Sequence, residues 1–240
     1  MNYCLFLLAQ AGKAQANLVA PSISPAFVRS LRAIPGLARL TVHRAGGRAQ
    51  DPAIAHGEGP AGVFQFYFDD LPALEAALAR GAALDCAWRR SDVAALQDLR
   101  WSQQVMAVRR YALATAWPRQ EKAVRQACTY FVSYEGRAAD DEAWLAHYLR
   151  HHPPLMKKLP GLRALEVYSR VDCDNGLAIS KSRALQRNLV MFDSLQALNE
   201  ALDSPVRREL RADYEGFPAF EGVSPHGAME TEIHAPTLRV

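Results

Sequence analysis

The residues best suited to chemistry gather in one short stretch. His152 follows Tyr148 by one helical turn and Trp144 by two, so the three share a helix face. An unperturbed imidazole titrates near ~6.5 and can give or take a proton at neutral pH. His152 is therefore the leading candidate for acid/base work. The same position suits a histidine that caps its helix, where the last carbonyls favour the charged ring and burial opposes it. Trp144 and Tyr148 are candidates for substrate contact, and core packing accounts for them at least as well. Further along, Asp213, Tyr214 and Phe217 form a second group. A carboxylate at 213 can orient an imidazole or accept a substrate proton, provided the fold brings it within hydrogen-bond reach. Otherwise it belongs to a polar loop closed by aromatic packing. His226 opens the last predicted strand and is a lesser alternative.

Other patterns fail on spacing. His147 and His151 stand at i and i+4, as metal ligands can, but the stretch reads His-Tyr-Leu-Arg-His, lacks the glutamate of a zinc protease and has no adjacent third ligand. Asp172-Cys-Asp174-Asn175-Gly176 opens like a calcium loop, yet Arg183 stands at the twelfth position, where a bidentate glutamate is needed. Gly57, Gly59 and Gly62 fit no phosphate-cradling motif. No Ser-His-Asp or Cys-His pairing assembles from spacing. No metal site is expected.

The elements that must position these groups come twice. Cys4 to Ala14 resembles Cys128 to Ala138 at an offset of 124 residues. Ile34-Pro35-Gly36-Leu37 returns as Leu159-Pro160-Gly161-Leu162, and Leu40 and Val42 return as Leu165 and Val167, at an offset of 125. Phe68-Asp69 with Leu71, Leu74 and Leu78 returns as Phe192-Asp193 with Leu195, Leu198 and Leu202, again at 124. Three blocks in one order at nearly one spacing define a tandem duplication. Periodicity predicts strands at 3–9, 37–45, 62–68 and 103–110 in the first copy, with helices at 24–33, 70–79 and near 91–99. In the second it predicts strands at 127–134, 162–171, 187–192 and 227–234, helices at 140–151 and 194–202, and a polar stretch from Ser204 to Gly216. Residues 1–116 and 124–240 read as the two units, with Trp117 to Glu121 as linker.

Each unit is β-α-β-β-α-β, the ferredoxin-like arrangement in an α+β class. Helices cover one sheet face, so the other must be buried. A second copy supplies the cover, and the two antiparallel sheets stack into a closed intramolecular barrel, a pseudo-dimer on one chain. A monomer, or a homodimer of such chains, follows.

With 28 basic and 25 acidic residues the net charge is +3, half the residues are hydrophobic and 22% are charged. That is ordinary globular composition with no electrostatic footprint for nucleic acid. No apolar run approaches the roughly 18 residues of a membrane span, and the first residues lack a signal peptide's basic start and small-residue cleavage site. Cys4, Cys86, Cys128 and Cys173 form no close pair and read as reduced thiols of a cytoplasmic protein.

Trp144 through Leu162, with its helix-end histidine, proline and Pro160-Gly161, resembles the EthD-like family of the dimeric α+β barrel superfamily. Leu202 through Pro218 is similar to that family's segment after the second helix. The likeness covers most of 126–234 and, more weakly, 3–110. It implies a small-molecule enzyme acting on an apolar aromatic, polyketide-like or lactone compound. Oxygenation, isomerisation and decarboxylation all fit, with no tightly bound cofactor. The site would lie between helices and sheet of one half, with His152 and Asp213 as catalytic residues and Trp144, Tyr148, Tyr214 and Phe217 around the substrate. A non-catalytic small-molecule-binding accessory protein is the alternative, and haem handling has no distinctive ligand signal. His152 corresponds to Phe27 in the first half and Tyr148 to Ile23. One working site, in the second half, is expected.

Overall fold

Alternation along the strands separates two kinds of side chain, one facing the helices and one facing the barrel interior. The computed structural model describes residues 2–10, 23–47, 49, 59–89, 99–117 and 124–234. The first half runs β1 (Asn2–Gln10), α1 (Pro25–Arg32), β2 (Leu37–Ala45), β3 (Gly62–Phe68), α2 (Leu71–Leu78), α3 (Ala83–Trp88) and β4 (Arg100–Arg110). The second runs β5 (Val124–Ala138), α4 (Asp141–Met156), β6 (Ala164–Arg170), β7 (Ser180–Lys181), β8 (Gln186–Phe192), α5 (Leu195–Leu202), α6 (Pro205–Glu215), β9 (Phe220–Val223) and β10 (His226–His234). The predicted helix near 91–99 and linker at 117–121 fall almost wholly outside the described residues.

Both halves arrange their strands identically, as β4-β1-β3-β2 and β10-β5-β8-β6. The halves then join edge to edge, β2 against β10 and β4 against β6, so eight antiparallel strands close a barrel. This is the ferredoxin-like α+β barrel. Outward residues such as Leu5, Leu40 and Phe66 pack under the helices of the first half, and Val132, Leu165 and Val190 under those of the second. Inward residues such as Cys4, Phe6, Tyr67, Met106, Phe131 and Leu189 fill the barrel. No helix among the described residues is long and apolar enough to cross a membrane.

The barrel interior also carries polar groups, and several of them join strands of different halves. Glu166 on β6 accepts from Arg39 on β2 at 2.5 Å, Arg110 on β4 at 2.9 Å and the Tyr67 hydroxyl on β3 at 2.7 Å, and from Tyr168 beside it. Burial alone would push this carboxyl up, yet the two guanidiniums hold it at about 2. At the β2–β10 seam His43 bonds Thr231 at 2.9 Å and Gln65 at 2.6 Å. Burial pushes His43 down to about 4, so it is neutral at pH 7.

Three expectations change. The Cys4–Cys128 match is out of register: Tyr3 pairs with Phe68 as Cys128 pairs with Phe192, so the strands align at 125, and Cys4 faces the barrel while Cys128 faces the helices. A one-residue slip exchanges the faces of a strand. The first helix of the second half does not stop at His152 but runs through Pro153 and Pro154 to Met156, so His152 is no terminal cap. The polar stretch after Ser204 is mostly helix α6.

The repeated Pro-Gly turn sets how each first helix enters its strand. Gly36 and Gly161 have φ of 76° and 70°, which L side chains adopt at roughly 1–2 kcal/mol. A Cβ at Gly161 would meet nothing nearer than 3.8 Å, whereas at Gly36 it would press on Ala73 Cβ at 3.2 Å. Gly161→Ala should cost about 1 kcal/mol in urea denaturation, and Gly36→Ala clearly more.

Candidate active site

A cavity of about 560 Å³ lies between the sheet and the helices of the second half. Tyr130, Val132 and Tyr134 of β5 with Asn188 and Val190 of β8 make its floor. His152 and Met156 of α4 and Leu198 and Leu202 of α5 make one side. Leu210, Tyr214, Arg207 and Arg211 of α6 close over it. The rest of the rim is Glu135 with Val223, Ser224, Pro225 and His226, the last four held there because β9 pairs with the far end of β5. The lining is mainly apolar with a few convergent polar groups, the ordinary make-up of a small-molecule site.

α6 folds back against α4 because Val206, Leu210 and Tyr214 recur at helical spacing, starting from Pro205 at the first turn. That packing delivers Asp213 to His152. The Nδ1–H of His152 donates to Asp213 Oδ2 at 2.7 Å, with both side chains mostly buried. A carboxylate only accepts, so the shared proton sits on Nδ1, and a neutral ring carries its lone pair on Nε2. Burial pushes His152 below the ordinary 6.5, while the Asp213 bond opposes it and nearby Arg207 reinforces it. The ring is thus a neutral base at physiological pH.

Of the other sequence candidates, Tyr214 lines the cavity, whereas Trp144, Tyr148 and Phe217 stand behind His152. Phe217 is the hub, with ring centroids at 5.3 Å from His152 and Tyr214, 5.5 Å from Trp144 and 5.6 Å from Tyr148. Tyr148 flanks the imidazole from its other neighbour position at 5.0 Å. These rings restrict how the imidazole can turn. His147 and His151 have centroids 4.6 Å apart, and no third His, Cys, Asp or Glu joins them among the described residues.

His226 is closer to the site than its sequence weight implied. Its ring packs on Tyr130 at 5.4 Å, and its Nδ1–H donates to the Ser224 carbonyl. Glu135, Asn188, Arg207 and Arg211 were not singled out in the sequence. Their only signal was the alternation of β5 and β8 and the helical stripe of α6.

The first half fills the equivalent space. Counting back from the Pro-Gly turns, Phe27 stands where His152 does. From the strand ladders, Phe64 stands where Asn188 does and Gln103 where His226 does. Phe64 packs against Phe27, Trp88 and Trp101 with centroids 5.8–6.2 Å apart.

The chain is therefore an α+β barrel of two ferredoxin-like halves with a histidine–aspartate pair beside a cavity in one of them. Among solved structures it is similar to an anthrone oxidase-like protein, at TM-score 0.61 and 14% identity over 100% of this chain and 94% of that one. It is also similar to a protein named as a candidate monooxygenase from Fusobacterium nucleatum, at TM-score 0.57 and 6% identity over 98% and 94%. An EthD-family protein from Bacillus halodurans aligns at 22% identity and TM-score 0.33, over 41% of this chain and 95% of that one. No protein-family model and no curated protein matches the sequence.

Proposed function

We propose that this chain is an EthD-like enzyme that removes a proton from a small apolar molecule, with His152 as general base and Asp213 as its positioning partner. The observation that carries this is the 2.7 Å Nδ1–Oδ2 bond at the wall of the 560 Å³ cavity. The bond leaves the other nitrogen of a neutral ring for a ligand. The aromatic and aliphatic lining suits an aromatic, polyketide-like or lactone compound with an acidic C–H or O–H. Arg207, a cavity residue close enough to act on His152, would stabilise the anion left behind. Returning the proton to another atom is isomerisation, losing carbon dioxide is decarboxylation, and reducing dioxygen is oxygenation. All three begin with the step His152 can perform, and the names of two proteins of similar fold favour the oxidative branch.

The halves read as a duplicated unit (1–116 and 124–240) in which the first became structural support, so a single chain is self-sufficient. Native mass spectrometry of freshly purified protein, followed by turnover assays on the scaffold of any retained ligand, tests both points. A single-chain mass, and a His152→Ala variant that binds the ligand but loses roughly 10²-fold or more in turnover, is expected. Full turnover in that variant defeats the assignment, and binding with no turnover in either protein makes the chain a small-molecule-binding accessory protein.

A further inference from the structure

A second cavity, about 350 Å³, lies at the seam between the halves, where β6 ends and β7 takes its place beside β4. Gln103 and Gln104 of β4 organise its walls. The Gln103 amide donates to the Leu177 and Ile179 carbonyls at 3.1 and 2.8 Å and accepts from Asn175 at 2.8 Å. Gln104 donates to the Ala184 carbonyl at 2.8 Å and accepts its N–H at 3.1 Å. The segment after β6 is thereby fixed over the barrel wall.

The charge of this cavity is one-sided. Arg170, Lys181 and Arg183 line it, against Asp172 alone. Arg170 has a loose contact with Asp141 at 3.5 Å, and neither Lys181 nor Arg183 forms an ion pair among the described residues. Directly behind stands Arg187, whose side chain is wholly buried. It donates to Gln104 Oε1 and to Ser182 Oγ at 3.0 Å, both groups of lining residues, and its Nε has no acceptor among the described residues. It also meets the Met106 sulfur at 3.6 Å and lies over the Phe6 ring at 5.4 Å.

Elsewhere in the same barrel the protein does otherwise: Arg39 and Arg110 share the buried carboxylate of Glu166. Among the described residues Arg187 has no carboxylate within hydrogen-bond reach, and Glu135, the acid whose field it feels, bonds to Ser133 and lines the other cavity. Burial pushes Arg187 down to about 10, which leaves it a cation at pH 7. A buried cation without a counter-ion is costly, and the cost is removed by a counter-charge brought close.

We infer that this seam is a second ligand site, and that it takes a small oxyanion, a phosphate or carboxylate group held by Lys181 and Arg183, whose charge offsets that of Arg187 on the far side of Gln104 and Ser182. Guanidinium and ammonium groups are the ordinary partners of such anions. The site is independent of His152.

Isothermal titration of the full chain with inorganic phosphate, and separately with malonate, at fixed ionic strength tests it. One-to-one binding at submillimolar Kd by at least one anion is expected, weakened tenfold or more in Lys181→Ala/Arg183→Ala and unchanged in His152→Ala. The better-bound probe assigns phosphate or carboxylate. Arg187→Met should bind neither anion and melt no lower than the parent in chloride, since a buried charge has been replaced by an apolar side chain. Failure of both anions to bind the parent overturns the site, as does equal binding by the Lys181→Ala/Arg183→Ala double variant. The double variant alters only exposed side chains and decides the matter even if Arg187→Met does not fold.

Discussion

Glu166→Ala should lower the free energy of unfolding by roughly 3 kcal/mol, a large share of the 5–15 kcal/mol typical of a folded protein. The carboxylate on β6 holds groups from β2, β3 and β4, so its loss leaves Arg39 facing the barrel interior uncompensated. The figure sits at the low end for a broken buried pair because the Arg110 side chain is 44% exposed and water can take over its share. Equilibrium urea unfolding measures the loss, and an unchanged midpoint would contradict the role given to Glu166. The pH dependence carries the same sign. The carboxyl is held at about 2 in the fold against an ordinary 4.5, so its contribution is complete above 4.5 and fades as pH falls toward 2. Glu166→Ala should flatten that acid limb. Replacing Arg39 with methionine in the same chain should recover part of the stability, since the orphaned cation goes too.

The second large effect is expected at Asp213. Asparagine is nearly isosteric, but its amide can donate to Nδ1, which moves the ring proton to Nε2 and removes the base from the cavity. Turnover of whatever substrate is found should fall by roughly 10²–10⁴, while ligand affinity changes little. Nitrogen NMR of the histidine ring reads the tautomer without a substrate: protonated Nδ1 in the parent, protonated Nε2 in Asp213→Asn. His152 in the parent should titrate below 6.5, because burial outweighs the carboxylate. Its titration should drop further in the variant, where that carboxylate is gone. A parent ring protonated at Nε2 would sink the proposed base. Since protonation destroys the lone pair, kcat/KM should fall on the acid side with its midpoint below 6.5.

Much of this architecture was legible in the residues, because a strand's alternation and a helix's stripe are local signals. β2 and β3 begin and end at the residues their alternation marks, and the strand order follows from two ferredoxin-like units. The register of β1 was not legible. Similar residues matched Cys4 to Cys128, and only hydrogen bonding to β3 and β8 shows which face each presents. Proline after histidine argued for a helix end, yet α4 continues because Met156 packs into the core below it. α6 was hidden by its charge: Arg207, Arg208, Glu209 and Arg211 outweigh a stripe whose one fully buried member is Leu210. With α6 unread, Asp213 could be offered as a partner for His152 only on condition that the fold brought it within reach. The oxyanion pocket gave no signal at all, since its cations lie on three separate segments and Arg187 looks like any strand arginine until its burial is seen.

The closing strand also has a meaning in time. β10 hydrogen-bonds to β5 on one side and to β2 on the other, so the seam between halves is shut by residues 226–234. A ribosome working at roughly 5–20 residues per second makes those residues some ten to forty seconds after β2. Throughout that interval Leu37–Ala45 presents a bare backbone edge, the kind that pairs with other chains. During synthesis the first half therefore waits with its edge open to chaperones and to neighbouring nascent chains, and maturation of the barrel is limited by elongation at its far end.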